Sequence, residues 1–356
     1  MKECPRCLFT DDIAIIPESG QCNYCDLQDA QKAAANFKDW PGVLQKIKDK
    51  GRGKQYDCLI GISGGEDSSV LLYLAVVSWG LRPLVIHFDN RTNRPQANNN
   101  IEQLTRKLVV NFIRYYVDQG EYEQLTDSFL AAGLQDADIP NDIAMAKLMY
   151  VAARENGIKY ILNGHDVRNE GNAPAKWTIM DARYIQSVFK AHTGQELKNY
   201  PLYTIWDQIM ASLHGIKQVR PYHYHHFDRP VILDRLKEMG WQDYGGKHNE
   251  NVYTAFVGNY LLPIKFGIDK RRVYFSAQIR EGEMTKEEAR VRLSIPAKFD
   301  LNDLGERKST VLSLMSSPTG SRDSFKRYNF KRWKVLIWLL TKLKVVPMSM
   351  HKKYCQ

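Results

Sequence analysis

A short run of small and hydroxyl-bearing residues has the composition of a phosphate-binding turn. The run, SGGEDSS, comprises Ser63, Gly64, Gly65, Glu66, Asp67, Ser68 and Ser69. Glycine lets backbone N–H groups approach an anion without a Cβ in the way, and the first N–H groups of a helix have no partner within it. Serine hydroxyls can add hydrogen bonds to phosphate oxygens. No lysine closes the run, which excludes the GxxxxGK[ST] loop of P-loop NTPases.

The residues around this run predict the elements that position it. Residues 58–62 are apolar and indicate a short buried strand, and the apolar stretch after the serines predicts a helix that ends at Gly80. The stretches LRPLVIHFDN, FIRYYV and KYILNG are further strand candidates, with helix-forming stretches between them. This alternation predicts an α/β fold with a parallel sheet, whose ligands bind at the carboxyl ends of the strands. Asp89 and Gly164 lie at two of those ends.

The SGGxDS pattern after a buried strand resembles the pyrophosphate loop of the ATP-pyrophosphatase superfamily, whose members cleave ATP to AMP and pyrophosphate through an adenylated substrate. The resemblance implies an adenine-nucleotide α-hydrolase-like domain. It also implies a nucleotide site formed by Ser63, Gly64, Gly65, Asp67, Ser68, Ser69, Asp89 and Gly164. Asp67 can bind Mg²⁺, which takes one or two carboxylates together with phosphate oxygens. Capping of the following helix is an equally good interpretation of Asp67.

Four cysteines near the start of the chain have the spacing of a metal site. Cys4 with Cys7, and Cys22 with Cys25, form two CxxC pairs separated by fourteen residues. Four thiolates at this spacing suit a structural Zn²⁺ with no coordination position left for substrate. An iron–sulfur or persulfide role remains an alternative. Disulfides are disfavoured in a chain that otherwise has the features of a cytosolic protein.

The net charge of +10 is concentrated at the end of the chain. Residues 322–356 contain ten Lys or Arg and one acid, whereas the other 321 residues have a net charge of only +1. A protein that binds RNA across its body is expected to spread basic surface over it, so we expect a small substrate and no nucleic-acid partner. The tail predicts a basic amphipathic helix that can lie on an anionic membrane surface. Packing on the body or in a homodimer explains it equally well.

The ends of the chain indicate a cytoplasmic protein, at most peripheral at the inner face of a membrane. MKECPRCLFT lacks the apolar core of a signal peptide, and the apolar run near residues 335–340 is far too short to span a bilayer. We expect four regions: a Cys4 segment (1–30), an ATP-pyrophosphatase domain (31–200), a mostly helical domain on the substrate and ammonia side (201–320) and the basic tail (321–356).

A second group of charged residues lies between residues 241 and 293, in GGKHNE and LPIKFGIDKRR. Together with the double CxxC and SGGxDSS motifs, these segments closely resemble the N-acetyl sugar amidotransferases of bacterial surface-polysaccharide (lipopolysaccharide O-antigen) biosynthesis. The resemblance extends to about residue 320. The loop NGHDVRNEG would contribute Glu170. A solvated charged turn is the alternative interpretation of KFGIDKRR.

This resemblance implies a specific reaction. An acetamido oxygen of a UDP-linked diacetamido uronic acid would attack ATP to form an O-adenyl imidate, and ammonia would then displace AMP and leave an acetamidino group. The developing charge on pyrophosphate needs cations, which Lys265, Lys270 and Arg271 would supply. A carboxylate must deprotonate ammonium, and Glu250 is the first candidate and Glu170 the second.

The resemblance also implies partners: a separate glutaminase and a barrel protein similar to the histidine-pathway synthase pair would supply ammonia. The alternative function is that of a tRNA-thiolating enzyme, which would need a catalytic cysteine, whereas Cys58 lies within a strand and Cys355 at the end of the tail. A non-catalytic nucleotide-binding scaffold would leave the charged group unexplained. His223, His225 and His226 favour a loop or strand over a pocket more than a metal site.

Overall fold

The computed structural model describes residues 1–34, 39–174, 176–224, 227–343 and 345–355. Its strands are β1 (Cys58–Gly61), β2 (Pro83–Asp89), β3 (Asn111–Tyr116), β4 (Tyr160–Leu162) and β5 (Lys217–Val219). They form one sheet in the order β3-β2-β1-β4-β5, and every neighbouring pair is parallel. The predicted parallel sheet is confirmed. The sequence gives no signal for β5, because its three residues, KQV, include only one apolar side chain.

The helices follow the predicted alternation with the strands. In chain order they are α1 (Asn23–Ala34), α2 (Trp40–Gly51), α3 (Glu66–Tyr73), α4 (Pro95–Lys107), α5 (Gln119–Ala131), α6 (Ile139–Glu155), α7 (Ala182–Thr193), α8 (Ile205–Leu213), α9 (Arg229–Glu238), α10 (Val252–Phe256), α11 (Leu262–Phe266), α12 (Arg271–Glu281), α13 (Lys286–Ser294), α14 (Lys308–Met315), α15 (Lys334–Lys342) and α16 (Met348–Tyr354). A π-helical turn, Leu74–Ser78, extends α3, and another, Val257–Leu261, joins α10 to α11.

Two helix boundaries differ from the sequence prediction. The polar composition of residues 91–100 predicts a loop, but α4 begins within this stretch at Pro95, a residue whose fixed φ suits the first turn of a helix. The polar residues 28–37 predict a helix, which in the structure begins earlier, at Asn23; its predicted end at residue 37 lies outside the described residues.

Helices cover both faces of β1, which fixes the position of the turn that follows it. Cys58 and Ile60 pack with apolar side chains of α3, whereas Leu59 packs with Met149 and its neighbours on α6. These three strand residues are fully buried. Each buried aliphatic side chain stabilises the fold by about 1.5–3 kcal/mol. The start of α3 is therefore held rigidly at the carboxyl edge of the sheet.

The region after β5 is mostly helical, as predicted, and packs closely against the sheet domain. The largest apolar cluster includes residues of α5 and α7 together with Phe256 of α10, Leu262 of α11 and Val311 of α14. This cluster crosses the predicted boundary at residue 200, so the helical region shares a core with the domain before it. Within the described part of the chain, none of the helices has the length and apolar character needed to cross a bilayer.

Candidate functional site

The turn between β1 and α3 has a backbone that requires glycine. Gly64 has a φ of +78°, and a Cβ at this position would lie 2.3 Å from the carbonyl oxygen of Ala97. The Gly64 carbonyl oxygen accepts hydrogen bonds from Asn100 Nδ2 at 3.0 Å and from the buried Trp241 Nε1 at 3.2 Å. These bonds fix the turn from behind and leave its other side facing a cleft.

Hydroxyl groups of two serines connect the two ends of the turn. Ser68 Oγ accepts a bond from the Ser63 N–H at 3.2 Å and donates to the Gly65 carbonyl oxygen at 3.1 Å. Ser63 and Ser68 line the cleft together with Gly65. Ser69 was predicted to bind nucleotide, but it is fully buried and does not line this cleft.

The cleft beside the turn has a volume of about 420 Å³ and is formed by four parts of the chain. The turn and the start of α3 form one wall, the loop after β4 forms a second, and the loop between α9 and α10 forms a third. Asp142 and Met145 of α6 also line the cleft. The polar residues from the last two loops are Asn163, His165, Glu170, Asp243, Tyr244, Lys247, His248 and Glu250. Gly164 lines the cleft as well, as the sequence predicted for a strand end.

Two cavities adjoin this cleft and share residues with it. One, of about 250 Å³, is lined by His87 and Asn90 at the end of β2 and also by Glu250 and Lys270. The other, of about 300 Å³, is lined by Glu170 and Lys270 together with aromatic and aliphatic side chains. His248 lines all three spaces, so they form a continuous surface around its ring.

Asp67 lies in the first turn of α3 and is bound by two cations. Its Oδ1 accepts from Arg229 Nη1 at 2.6 Å and its Oδ2 from Lys247 Nζ at 3.2 Å. The N-cap of α3 is Gly65, and no side chain among the described residues makes a capping hydrogen bond there. Asp67 therefore does not cap this helix. If Mg²⁺ binds here, the Asp67 carboxylate would hold it together with phosphate oxygens. Its Oδ2 has the longer hydrogen bond of the two oxygens and is the better candidate ligand.

Glu170 is an ionised carboxylate held between two histidines. Its Oε2 lies 2.6 Å from His165 Nδ1, and its Oε1 lies 3.7 Å from His248 Nε2. Burial opposes ionisation, but the His165 hydrogen bond and the charges of His248, His165 and Lys247 outweigh it and hold the pKa of Glu170 at about 2. A carboxylate with such a low pKa is a poor proton acceptor near neutral pH.

Glu250 is differently placed, with one oxygen engaged and one without a partner. Its Oε1 accepts from Ser63 Oγ at 3.2 Å, whereas its buried Oε2 has no hydrogen-bond partner within the described part of the chain. The Glu250 carbonyl oxygen accepts from the Arg94 N–H at 2.8 Å, which ties this loop to the start of α4. The carboxylate can therefore accept a hydrogen bond from a molecule bound beside the turn.

The structure separates the three predicted cations. Lys270 lines the two adjoining cavities. Arg271 forms an ion pair with Asp269 at 2.6 Å and lines a further cavity beyond Lys270. Lys265 points elsewhere: its Nζ donates to the carbonyl oxygens of Met315 at 2.8 Å and Ser317 at 2.7 Å. The structure brings only Lys270 next to the main cleft, because the three side chains leave different faces of the α11–α12 segment.

Asp89 also faces away from the cleft. Its carboxylate accepts from Arg114 Nη1 at 3.2 Å and from the Arg91 N–H at 2.8 Å, and it is almost fully buried. The neighbouring residues of β2, His87 and Phe88, line the adjoining cavity instead.

Several site residues had no sequence signal or only a weak one. Arg229 gives no signal as a lone arginine before proline, yet it contacts Glu66, Asp67 and Asp166. The Tyr244 hydroxyl accepts from the Glu66 N–H at 3.0 Å. Asp142 faces the open cleft, where the surrounding protein and the nearby Asp138 raise its pKa to about 6.

The four cysteines near the start of the chain lie together, as their spacing predicts, and could hold a metal ion. Their sulfur atoms all lie within 4.8 Å of one another, and the distances for Cys4–Cys25, Cys7–Cys22 and Cys22–Cys25 are 3.8, 3.7 and 3.6 Å. A tetrahedron with metal–sulfur bonds of about 2.3 Å has edges of about 3.8 Å. The spacing of the four sulfurs therefore fits one tetrahedral ion.

Arg280 of α12 connects this cluster to the cleft. Its guanidinium donates to Cys7 Sγ at 3.2 Å and to Cys25 Sγ at 3.3 Å, which compensates for thiolate charge. The same helix carries Tyr274, which lines an adjoining cavity. The Cys4 segment thus supports α12 from outside. The described residues hold no other group of three or more potential metal ligands, and His225 and His226 lie outside them.

Comparison with known proteins gives a match within the C-terminal part of the site. Residues 250–340 match a family described as "LPS biosynthesis protein WbpG-like, C-terminal domain". The match begins at Glu250 and includes Lys270 and the start of α15. This segment is thus similar to the C-terminal domain of WbpG-like proteins, and it lies next to the SGG turn.

More distant similarities cover more of the chain. An uncharacterized protein of Methanocaldococcus jannaschii is 22% identical over 299 residues, which covers 83% of this chain and 94% of that protein. Among solved structures, an NMN synthetase from Francisella tularensis has a TM-score of 0.39 at 12% identity and covers 71% of this chain and 89% of its own. A U34-tRNA thiolase from Methanococcus maripaludis with a [4Fe-4S] cluster has a TM-score of 0.34 at 13% identity, with coverages of 91% and 99%. Both scores are too low to transfer a function.

Proposed function

We propose that this chain is an ATP-dependent N-acetyl sugar amidotransferase of the ATP-pyrophosphatase superfamily. It would convert an acetamido group of a UDP-linked diacetamido uronic acid into an acetamidino group and release AMP and pyrophosphate. The observation that carries the proposal is the contact between Ser63 of the SGG turn and Glu250, the first residue of the WbpG-like match. The SGG turn and a residue of the segment that is similar to a polysaccharide-biosynthesis domain thus line the same cleft.

The turn and its surroundings are suited to binding the phosphates of ATP. The N–H groups at the start of α3 and the hydroxyls of Ser63 and Ser68 can donate to phosphate oxygens. Lys247 lines the cleft and brings positive charge to the same wall, where it would stabilise the leaving pyrophosphate. Bound Mg²⁺, held by Asp67, would neutralise further phosphate charge.

The other residues of the cleft have distinct roles in the proposed reaction. Glu250 would take a proton from ammonium through its unpartnered Oε2, so that ammonia can attack the adenylated carbon as AMP leaves. Glu170 would remain ionised and orient His165 and His248. Lys270, between the two adjoining cavities, would contact the anionic part of the UDP-sugar.

The proposal includes a location and partners. ATP and UDP-sugars are cytoplasmic substrates, so the enzyme would act in the cytoplasm. A separate glutaminase with a barrel-shaped synthase-like partner would supply ammonia. We assign the Cys4 cluster to a structural Zn²⁺, because the spacing of the four sulfurs fits a single tetrahedral ion with no open position.

The alternative, a tRNA-thiolating enzyme, is less well supported by the described residues. Cys58 is fully buried in β1, where burial raises the pKa of its thiol, and Cys355 is buried in the tail cluster. Neither lines the cleft, and a thiolate needs access to its substrate to react.

The proposal is tested with the purified chain, ATP, Mg²⁺, ammonium at mildly alkaline pH and a UDP-diacetamido uronic acid. AMP and pyrophosphate should form only when the sugar is present, and the mass of the sugar should change by replacement of one oxygen by NH. AMP without this mass change would point to another acceptor. AMP formed only with tRNA and a sulfur donor would support the thiolation alternative.

A further inference from the structure

One side of the basic tail packs against the body of the protein. Ile337 of α15 and Met350 and Tyr354 of α16 form an apolar cluster with Ile205 of α8. The Tyr328 N–H donates to Asp181 Oδ2 at 3.0 Å. The orientation of α15 is thus set by packing on the body.

The other side of α15 exposes apolar residues. Trp333, Val335, Leu336, Trp338, Leu339 and Leu343 are each at least 43% exposed. We call these six residues the α15 face. A helix that is apolar on nearly all sides is normally covered on all sides, and a contiguous exposed apolar surface marks an interaction site.

The charges around the α15 face all have one sign. Residues 331–343 contain Lys331, Arg332, Lys334 and Lys342 and no acidic residue, and all four cations are exposed. The Lys342 ammonium lies 5.2 Å from the centre of the Trp338 ring. A tryptophan beside a lysine is an arrangement suited to the boundary between acyl chains and headgroups.

We propose that the α15 face is a docking surface for anionic phospholipid bilayers. Apolar side chains would enter the acyl region while the surrounding cations contact the headgroup phosphates. A second copy of the chain fits less well, because two tails of net charge +9 would face each other at the contact. The proposal does not depend on the reaction that the cleft performs.

The test is flotation of the full-length protein with vesicles. Vesicles of phosphatidylcholine alone are compared with vesicles containing about one part phosphatidylglycerol to three parts phosphatidylcholine. We expect binding only to the anionic vesicles, weakened by added salt because the electrostatic contribution is screened. Trp338→Ser with Leu339→Ser, and separately Lys331→Glu with Lys334→Glu, should each reduce the partition coefficient by about tenfold or more.

Matched controls separate lipid binding from loss of folding. Lys46→Glu with Lys50→Glu changes the same charge at exposed positions of α2, and Val291→Ser removes an exposed apolar side chain of α13. Both controls should bind as wild type, and all variants should keep the wild-type melting temperature. Absence of binding to anionic vesicles, or equal binding of the tail variants and wild type, would overturn the proposal. So would a dimer in sedimentation that the Trp338→Ser and Leu339→Ser changes dissociate while vesicle binding is absent.

Discussion

The carboxylate of Glu250 lies 3.2 Å from the hydroxyl of Ser63, although 187 positions separate the two residues in the chain. The hydroxyl belongs to the turn at the end of the central strand, and the carboxylate belongs to the loop before α10. In the proposed reaction, the turn would bind a phosphate of ATP and the carboxylate would accept a proton beside it.

Replacement of Glu250 by Gln tests the proposed role of this carboxylate as the base. The amide keeps the size of the side chain but cannot take a proton from ammonium, so we expect kcat to fall by about 10²–10⁴-fold. The KM for ATP should change little. The measurement is AMP formation against ammonium concentration and pH. Glu238→Gln, at an exposed position of α9, is the control and should retain full turnover. Full turnover of the Glu250 variant would exclude this residue as the base.

Gly64→Ala should destabilise the protein far more than an equivalent change elsewhere. Gly157 has a similar φ of +63° but open space around it, so Gly157→Ala should lose only about 1 kcal/mol from its backbone conformation. Gly64→Ala adds a clash with the Ala97 carbonyl and should lose about 3 kcal/mol or more. The free energies of unfolding in urea give the comparison. Equal losses in the two variants would mean that α4 shifts at little cost and removes the clash with Ala97.

Lys265→Ala should affect the stability of the protein, whereas Lys270→Ala should affect the binding of the sugar. Lys265 holds two carbonyl oxygens after α14, so its loss should lower the melting temperature by a few degrees, about 1 kcal/mol per lost bond, and leave the KM values unchanged. Lys270→Ala should raise the KM for the sugar with little change in melting temperature. Steady-state kinetics and thermal unfolding of both variants are the measurements. A loss of nucleotide affinity in Lys265→Ala would place that residue in the site after all.

Removal of the metal should weaken the protein around α12. Cys22→Ser should reduce the bound zinc from about one per chain to none and lower the melting temperature, because the cluster and Arg280 support that helix. Cys355→Ser removes a buried cysteine outside the cluster and should retain the metal. Elemental analysis and thermal unfolding provide the test. Iron in place of zinc, with visible absorption, would contradict the assignment.

Glu170→Gln should reduce stability in a pH-dependent way. The pKa of Glu170 falls from 4.5 to about 2 on folding, so its ionised form stabilises the folded state fully above pH 4.5. This contribution, at most about 3 kcal/mol, is lost as the pH falls from 4.5 toward 2. The difference in unfolding free energy between variant and wild type should shrink over the same interval. Glu155→Gln, at an exposed position, should show no such trend, and a constant difference for Glu170→Gln would contradict the low pKa.

Local patterns in the sequence were sufficient to predict the main strands and helices and the cluster of four cysteines. The strand–turn–helix at residues 58–80, the parallel sheet and the Cys4 cluster are confirmed. Thr285 and Glu288, three positions apart, form a capping box at the start of α13. These features depend on residues a few positions apart, whose backbone preferences and side-chain periodicity act over short distances.

Only the tertiary structure decided which charged residues meet. Asp67 binds Arg229, which lies 162 residues away, and Asp89 turns to Arg114 on the neighbouring strand. Lys265 and Lys270 are five positions apart in one charged segment, yet one holds carbonyl groups after α14 and the other faces the cavities. The sequence by itself determined the turn of glycines and serines between β1 and α3 and the residue types available to it. Their partners follow from how helices and loops pack against one another, since a side chain's direction depends on the orientation of its element within the fold and not on its neighbours along the chain.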